Sequence, residues 1–257
     1  MSTSSGPLTN FLTRAYGIWF VAIFACTAIL TLGLVAVMPG QNNRRRLARG
    51  GARLLFLLTG AWPVIRGLDQ LPTTAAVVVA NHASYLDGIL LTAALPHRFQ
   101  FVIKREITQV PLVHFFLRRI GAHFVERFDA NKGATDARRI LQTATNGGSL
   151  VFFPEGTFRR EPGLRRFHKG AFMIASRHEL PVVPVVINGT RSMLPAHEWL
   201  PRPGDLEIQV QSPLPLADSA NPVQARDESR QAILKGLAEA DLHPAITQNL
   251  ASPDLDS

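Results

Sequence analysis

Residues 76–91 read AVVVANHASYLDGILL, and this stretch decides the architecture. Its first five residues are small or β-branched with no polar interruption. That is the mark of a short strand covered on both faces. From Ser84 to Leu95 the apolar spacing turns helical. A covered strand that passes directly into a helix is the repeating unit of a layered α/β domain. The unit recurs along the chain. FQFVIK (99–104), AHFVER (122–127), SLVFFP (149–154) and PVVPVVI (181–187) read as strands, and DLEIQVQ (205–211) alternates as a more exposed one. Helical patterns fall at 110–120, 135–145, 167–178 and 224–239. The pattern predicts a mixed sheet with helices on both faces over residues 67–252. The tail, 253–257, reads as disordered.

The first 66 residues differ in kind. Residues 16–38, YGIWFVAIFACTAILTLGLVAVM, contain no charge. As a helix this segment is about 35 Å long, against roughly 30 Å for a bilayer core. Pro39 and Gly40 end it, and Arg44, Arg45, Arg46, Arg49 and Arg53 follow. Tyr16 and Trp19 near one end suit an interfacial belt, and the arginines suit a lipid-facing cytoplasmic edge. LLFLLTGAWPVI (54–65) is too short to span and reads as interfacial or packed on the domain. Residues 1–66 are therefore expected to form an N-terminal membrane-associated helical segment, which either spans or re-enters. The expected location is the cell membrane, with the main domain facing the cytoplasm. A single cysteine, Cys26, leaves no intrachain disulfide, as in a reducing compartment. The net charge of +8 favours an anionic partner: membrane, substrate or nucleic acid. The uncharged segment and the lack of interleaved aromatics argue against nucleic acid.

Two strand ends carry chemistry. His82 and Asp87 are five residues apart, which is wrong for one face of a regular helix. Across a tight strand-to-helix turn, however, the Asp87 carboxylate can reach one ring nitrogen and leave the other free to take a proton. The alternative is a turn histidine with a capping aspartate. Ser84 is an N-cap or a nucleophile, and no G-x-S-x-G elbow supports the second role. In VFFPEGTFRR (151–160), a strand end delivers Glu155, Gly156 and Thr157, with Arg159 and Arg160 beyond. Carboxylate, hydroxyl and guanidinium groups together suit a polyol phosphate, although an ordinary polar βα loop reads the same way. Ligands of α/β sheets gather at the carboxyl ends of strands, so the two loops reinforce each other. Other histidines lack metal-ligand spacing, and there is no P-loop or G-x-G-x-x-G. No metal and no cofactor are expected.

Taken together, the motifs resemble the glycerolipid acyltransferases, in particular the lysophosphatidic acid acyltransferases. That family's asparagine-histidine, four residues and aspartate stand here as NHASYLD. Its second block corresponds to GAHFVER, Gly121 to Arg127, and its third to FPEGTFR. Its proline-rich fourth strand corresponds to LPVVPVVING, 180–189; KREI (104–107) and FHKGAF (167–172) match intervening pieces. The resemblance runs in order over residues 67–195. It implies transfer of a fatty acyl group from acyl-CoA or acyl-ACP to the hydroxyl of a lysophospholipid acceptor at an anionic membrane surface. It implies His82 as general base, Asp87 as its orienting partner, and Asn81 as an oxyanion donor or a structural residue. Substrate binding falls to Arg127, Glu155, Gly156, Thr157, Arg159 and Arg160. One departure is plain. The family often has arginine directly after the threonine, and here Phe158 intervenes, so Arg159 or Arg160 takes that role. A lyso-amino-lipid or other lysophospholipid acceptor stays open, as does a non-catalytic lipid-binding protein of the same fold.

Overall fold

The computed structural model describes residues 6–125, 140, 142–214 and 221–243. Among these, strands β1 (Val64–Arg66), β2 (Val77–Ala80), β3 (Phe99–Lys104), β4 (His123–Val125), β5 (Ser149–Phe152), β6 (Val182–Asn188) and β7 (Glu207–Val210) form one sheet. Its order is β1-β7-β6-β2-β5-β3-β4. All neighbours are parallel except β6 and β7, which are antiparallel. The sheet is thus mixed, as the strand pattern implied.

The central strand shows why the run at 76–80 is unbroken. Val78 and Ala80 join one core with Leu86, Leu90 and Leu91 of helix α3 (Leu86–Ala94). Val77 and Val79 join the other, with Phe172 and Ala175 of α5 (Gly170–Arg177) and Ile233 of α6 (Pro222–Gly236). Helices lie on both faces, and every β2 side chain is buried, so none of its positions is left for a polar residue. Helix α4 (Pro111–Arg119) leads from β3 towards β4. The sheet begins with β1 inside the stretch read as interfacial. Part of the helix expected at 135–145, and Arg127 with it, lies outside the described residues.

The N-terminal segment is built more tightly into the domain than its composition suggests. Helix α1 (Pro7–Val37) is long and apolar enough to cross a membrane. Yet Gly17, Phe20, Thr27, Thr31 and Val35, on one stripe, are buried. A second helix that the hydropathy did not announce, α2 (Gln41–Leu58), packs between α1 and α3. Its Leu55 and Phe56 enter the same core as Phe20. Gly51 permits this approach, since a Cβ there would stand 2.1 Å from Thr31 Oγ1.

The arginines after α1, expected as a lipid-facing edge, mostly turn inward. Arg44 Nε donates to Met38 O at 2.7 Å and Arg45 Nε to Ile120 O at 2.9 Å. Arg49 Nη2 donates to Ala94 O at 3.1 Å and Arg53 Nε to Ala93 O at 2.9 Å. Arg119 of α4 donates to the carbonyls of Val35 and Ala36. These are the carbonyls that helix ends leave unpaired, at the negative pole of each helix dipole. The charges therefore lock α1, α3 and α4 together, and only Arg46 of the five is exposed.

Candidate active site

β2 and β5 are parallel neighbours, so the loops at their carboxyl ends meet. The first holds His82. Its Nδ1 lies 2.8 Å from Asp87 Oδ2. The same oxygen accepts the N–H groups of Ala83 at 2.7 Å and Ser84 at 2.8 Å. An oxygen that already accepts two donors carries no proton, so Nδ1 is the protonated ring nitrogen and Nε2 is left as the acceptor. Asp87 is wholly buried, while the His82 side chain keeps 18% of its exposure. The five-residue separation works because the chain turns before α3 begins, which brings the first-turn carboxylate back under the ring. The ring stacks on Phe153, with centroids 4.2 Å apart, and meets the edge of Phe158 at 4.6 Å. Phe158 also packs edge-on against Tyr85 at 4.7 Å.

The neighbouring groups take defined places. Ser84 is buried; its Oγ donates to Leu194 O at 2.8 Å and accepts Leu86 N–H at 3.2 Å. Ser84 is thus not the N-cap it was expected to be, since Tyr85 holds that position with no side-chain cap bond, but its hydroxyl is committed to these two partners. Asn81 pairs with β6: its amide donates to Ile187 O at 2.9 Å and its carbonyl accepts Ile187 N–H at 2.7 Å. This geometry favours its structural role over the oxyanion one. Glu155, expected on substrate hydroxyls, is buried and bridges the two loops instead. Oε1 accepts His82 N–H at 2.7 Å and Oε2 accepts Arg165 N–H at 3.0 Å. Burial pushes its pKa up, against the pull of those two donors. Gly156 has φ of +78° and closes a turn through its N–H to Phe153 O, a conformation that favours glycine. Thr157, Arg159 and Arg160 are exposed. Thr157 O accepts from Arg165 Nη1 at 3.1 Å. The structure thus brings His82, Asp87, Asn81 and Glu155 to one place, with Gly156 to Arg160 beside them.

Sequence reasoning passed over Phe153 and Phe158 as ring supports, and Arg191 and Glu239, which hold the second loop from behind. The aromatic pair had a signal, since Phe153 opens the FPEGT motif and Phe158 follows it. Glu239 had none, because its contact spans 76 residues of sequence.

The model of the acyltransferase family matches residues 63–188, the span that holds both loops and the strands beneath them. Over that span the chain is similar to the acyltransferase family. Among its relatives is the chloroplastic 1-acyl-sn-glycerol-3-phosphate acyltransferase BAT2 of Brassica napus. It is 29% identical over 83% of this chain and 65% of its own length. The corresponding Arabidopsis thaliana protein is 32% identical, over 81% of this chain and 61% of its own. This chain therefore spans less than two thirds of those plant relatives. The fold is also that of the crystal structure of the 1-acyl-sn-glycerophosphate acyltransferase PlsC from Thermotoga maritima. The TM-score is 0.72 at 21% identity, covering 96% of this chain and 98% of that one.

Proposed function

We propose that this acyltransferase moves a fatty acyl group from acyl-CoA or acyl-ACP to the free hydroxyl of 1-acyl-glycerol-3-phosphate, giving phosphatidic acid. The observation that carries the reading is the His82–Asp87 pair beside a serine whose hydroxyl is already committed. A base without a protein nucleophile suits direct attack by the acceptor. His82 Nε2 takes the hydroxyl proton as the oxygen attacks the thioester carbon. Asp87 holds the Nδ1 proton and stabilises the imidazolium that forms. The tetrahedral intermediate expels the thiolate, which is protonated from the same ring. General base catalysis of this kind is worth about 10²–10⁴-fold in rate. Binding two apolar substrates side by side supplies much of the rest.

The exposed guanidiniums of Arg159 and Arg160 are the groups we assign to the acceptor phosphate, because planar forks match phosphate oxygens. Arg127 is the further candidate. Phe158 stands where the family resemblance implies arginine, so a different lyso-lipid acceptor is kept as a second reading. For attachment, the stripe from Gly17 to Val35 runs about 27 Å along the domain. The opposite side of α1 exposes Leu8, Phe11, Trp19, Ile29 and Val37. The exposed Leu112 and Phe115 of α4 add to the apolar surface. We therefore read α1 as lying in the membrane interface and not across it. The test is lipid mass spectrometry after incubating purified protein with a panel of lyso-acceptors and both thioester types. Phosphatidic acid from 1-acyl-glycerol-3-phosphate is the expected main product. A product only from another acceptor would replace the substrate assignment.

A further inference from the structure

The loop that carries Arg159 and Arg160 is gripped from behind by residues outside the motifs. Arg191 stands in the single helical turn Thr190–Met193 that follows β6. Its Nη1 donates to the carbonyls of Arg159 and Arg160. Its Nε lies 2.6 Å from Glu239 Oε1. The other oxygen of Glu239 accepts Gly163 N–H at 2.7 Å. One guanidinium and one carboxylate thus hold both ends of the 159–163 segment. Both side chains are largely shielded, 13% and 19% exposed. The chain around Glu239 is itself anchored. Leu164 N–H donates to Ala240 O at 2.9 Å, and Arg230, buried, donates to Leu164 O and Arg165 O and pairs with Asp241. From Arg165 the path continues through Glu155 to the backbone of His82.

We infer that Arg191 and Glu239 are positioning residues for the acceptor, a clamp that sets where Arg159 and Arg160 present their guanidiniums. This rests on the functional reading above. The physical reason is geometric. The two exposed arginines have long, mobile side chains, so their reach is fixed by the backbone that bears them. That backbone has φ +127° at Gly163 and no flanking helix or strand to stiffen it. Arg191 serves two directions at once because its fork is planar. A lysine offers a point charge and cannot bridge Glu239 and two carbonyls.

The test uses the full chain in detergent or liposomes, with Arg191→Lys, Glu239→Gln and the double variant. Hydrogen exchange of residues 158–165 comes first. We expect faster exchange there in each variant, with β2 and β6 unchanged. Steady-state kinetics then varies each substrate in turn. The acceptor KM should rise roughly tenfold, while kcat, its pH profile and the donor KM stay within about twofold. The double variant should be no worse than the worse single one, because either change opens the same clamp. Unchanged exchange overturns the clamp. Faster exchange with an unshifted acceptor KM, or with kcat and both KM values falling together, overturns its role in acceptor positioning. Wild-type protein that transfers nothing would sink the functional reading, and the clamp is then judged on exchange alone.

Discussion

Replacing Asp87 with Asn is the most informative single perturbation. The carboxylate lies 2.8 Å from the His82 ring and is wholly buried. With charge spread over ring and carboxylate, the effective centres are about 4 Å apart. At an effective dielectric constant of about 20, an imidazolium there is stabilised by about 4 kcal/mol. Each 1.36 kcal/mol is about tenfold in rate, so loss of that charge predicts a fall in kcat of about 10³-fold. The variant also has a structural cost. One amide oxygen can still serve Nδ1, Ala83 N–H and Ser84 N–H. The amide nitrogen must then sit where Asp87 Oδ1 now lies, buried with no hydrogen-bond partner. An unsatisfied donor there costs about 1–3 kcal/mol of stability. The assay is release of free thiol from acyl-CoA at saturating 1-acyl-glycerol-3-phosphate, with urea unfolding run in parallel. His82→Ala should match the rate loss without the same stability loss. A folded Asp87→Asn protein that keeps more than about a tenth of wild-type kcat would refute the role given to Asp87, and the same result for His82→Ala would refute the base assignment.

Arg159→Lys should raise the acceptor KM more than the donor KM, with Arg160→Lys doing less; unchanged acceptor KM in both would move the phosphate site away from this loop. The two faces of α1 separate by single changes. Phe20→Ala should cost about 3–5 kcal/mol in urea unfolding in detergent, since Phe20 is 2% exposed. Ile29→Ala, at a position 72% exposed, should leave stability alone and weaken liposome binding. His123 has its pKa held below the ordinary 6.5, first by burial and then by Arg45. The unfolded chain therefore binds its proton more readily, and the folded state loses stability as pH falls from about 6.5 through the lowered value. His123→Gln should flatten that dependence, and identical slopes for both proteins in melts between pH 7.5 and 5 would exclude it.

The layered domain was legible because each strand needs cover on both faces and each is bounded by a composition shift. FQFVIK at 99–104 coincides with β3 to the residue. The dyad was legible because its two residues are near in sequence and their chemistry is specific. What escaped was tertiary. α2 has arginines through its first half and a Gly50–Gly51 pair, and its amphipathic spacing runs across what reads as two pieces, an arginine cluster and the apolar stretch 54–65; its contacts with α1 and α3 join them. Glu155 looked like a ligand because a carboxylate after a strand usually faces solvent; nothing local says that two backbone N–H groups from separate loops claim it. The inward turn of Arg45, Arg49 and Arg53 depends on carbonyls 40 or more residues away.

Under the proposed function, those inward arginines have a consequence for how the protein would sample lipid. Arg49 and Arg53 grip the far end of α3, at Ala94 and Ala93, and the near end of that helix bears Asp87. The helix is about 11 Å long between them and does not bend. If α1 rests in the interface as proposed, the His82 ring would sit at a set altitude over the bilayer, like a stylus on a fixed arm. An acceptor would then have to lift its hydroxyl to that altitude before reacting. Discrimination among lysolipids would then depend partly on how far each stands proud of its neighbours, a property of the membrane as much as of the pocket.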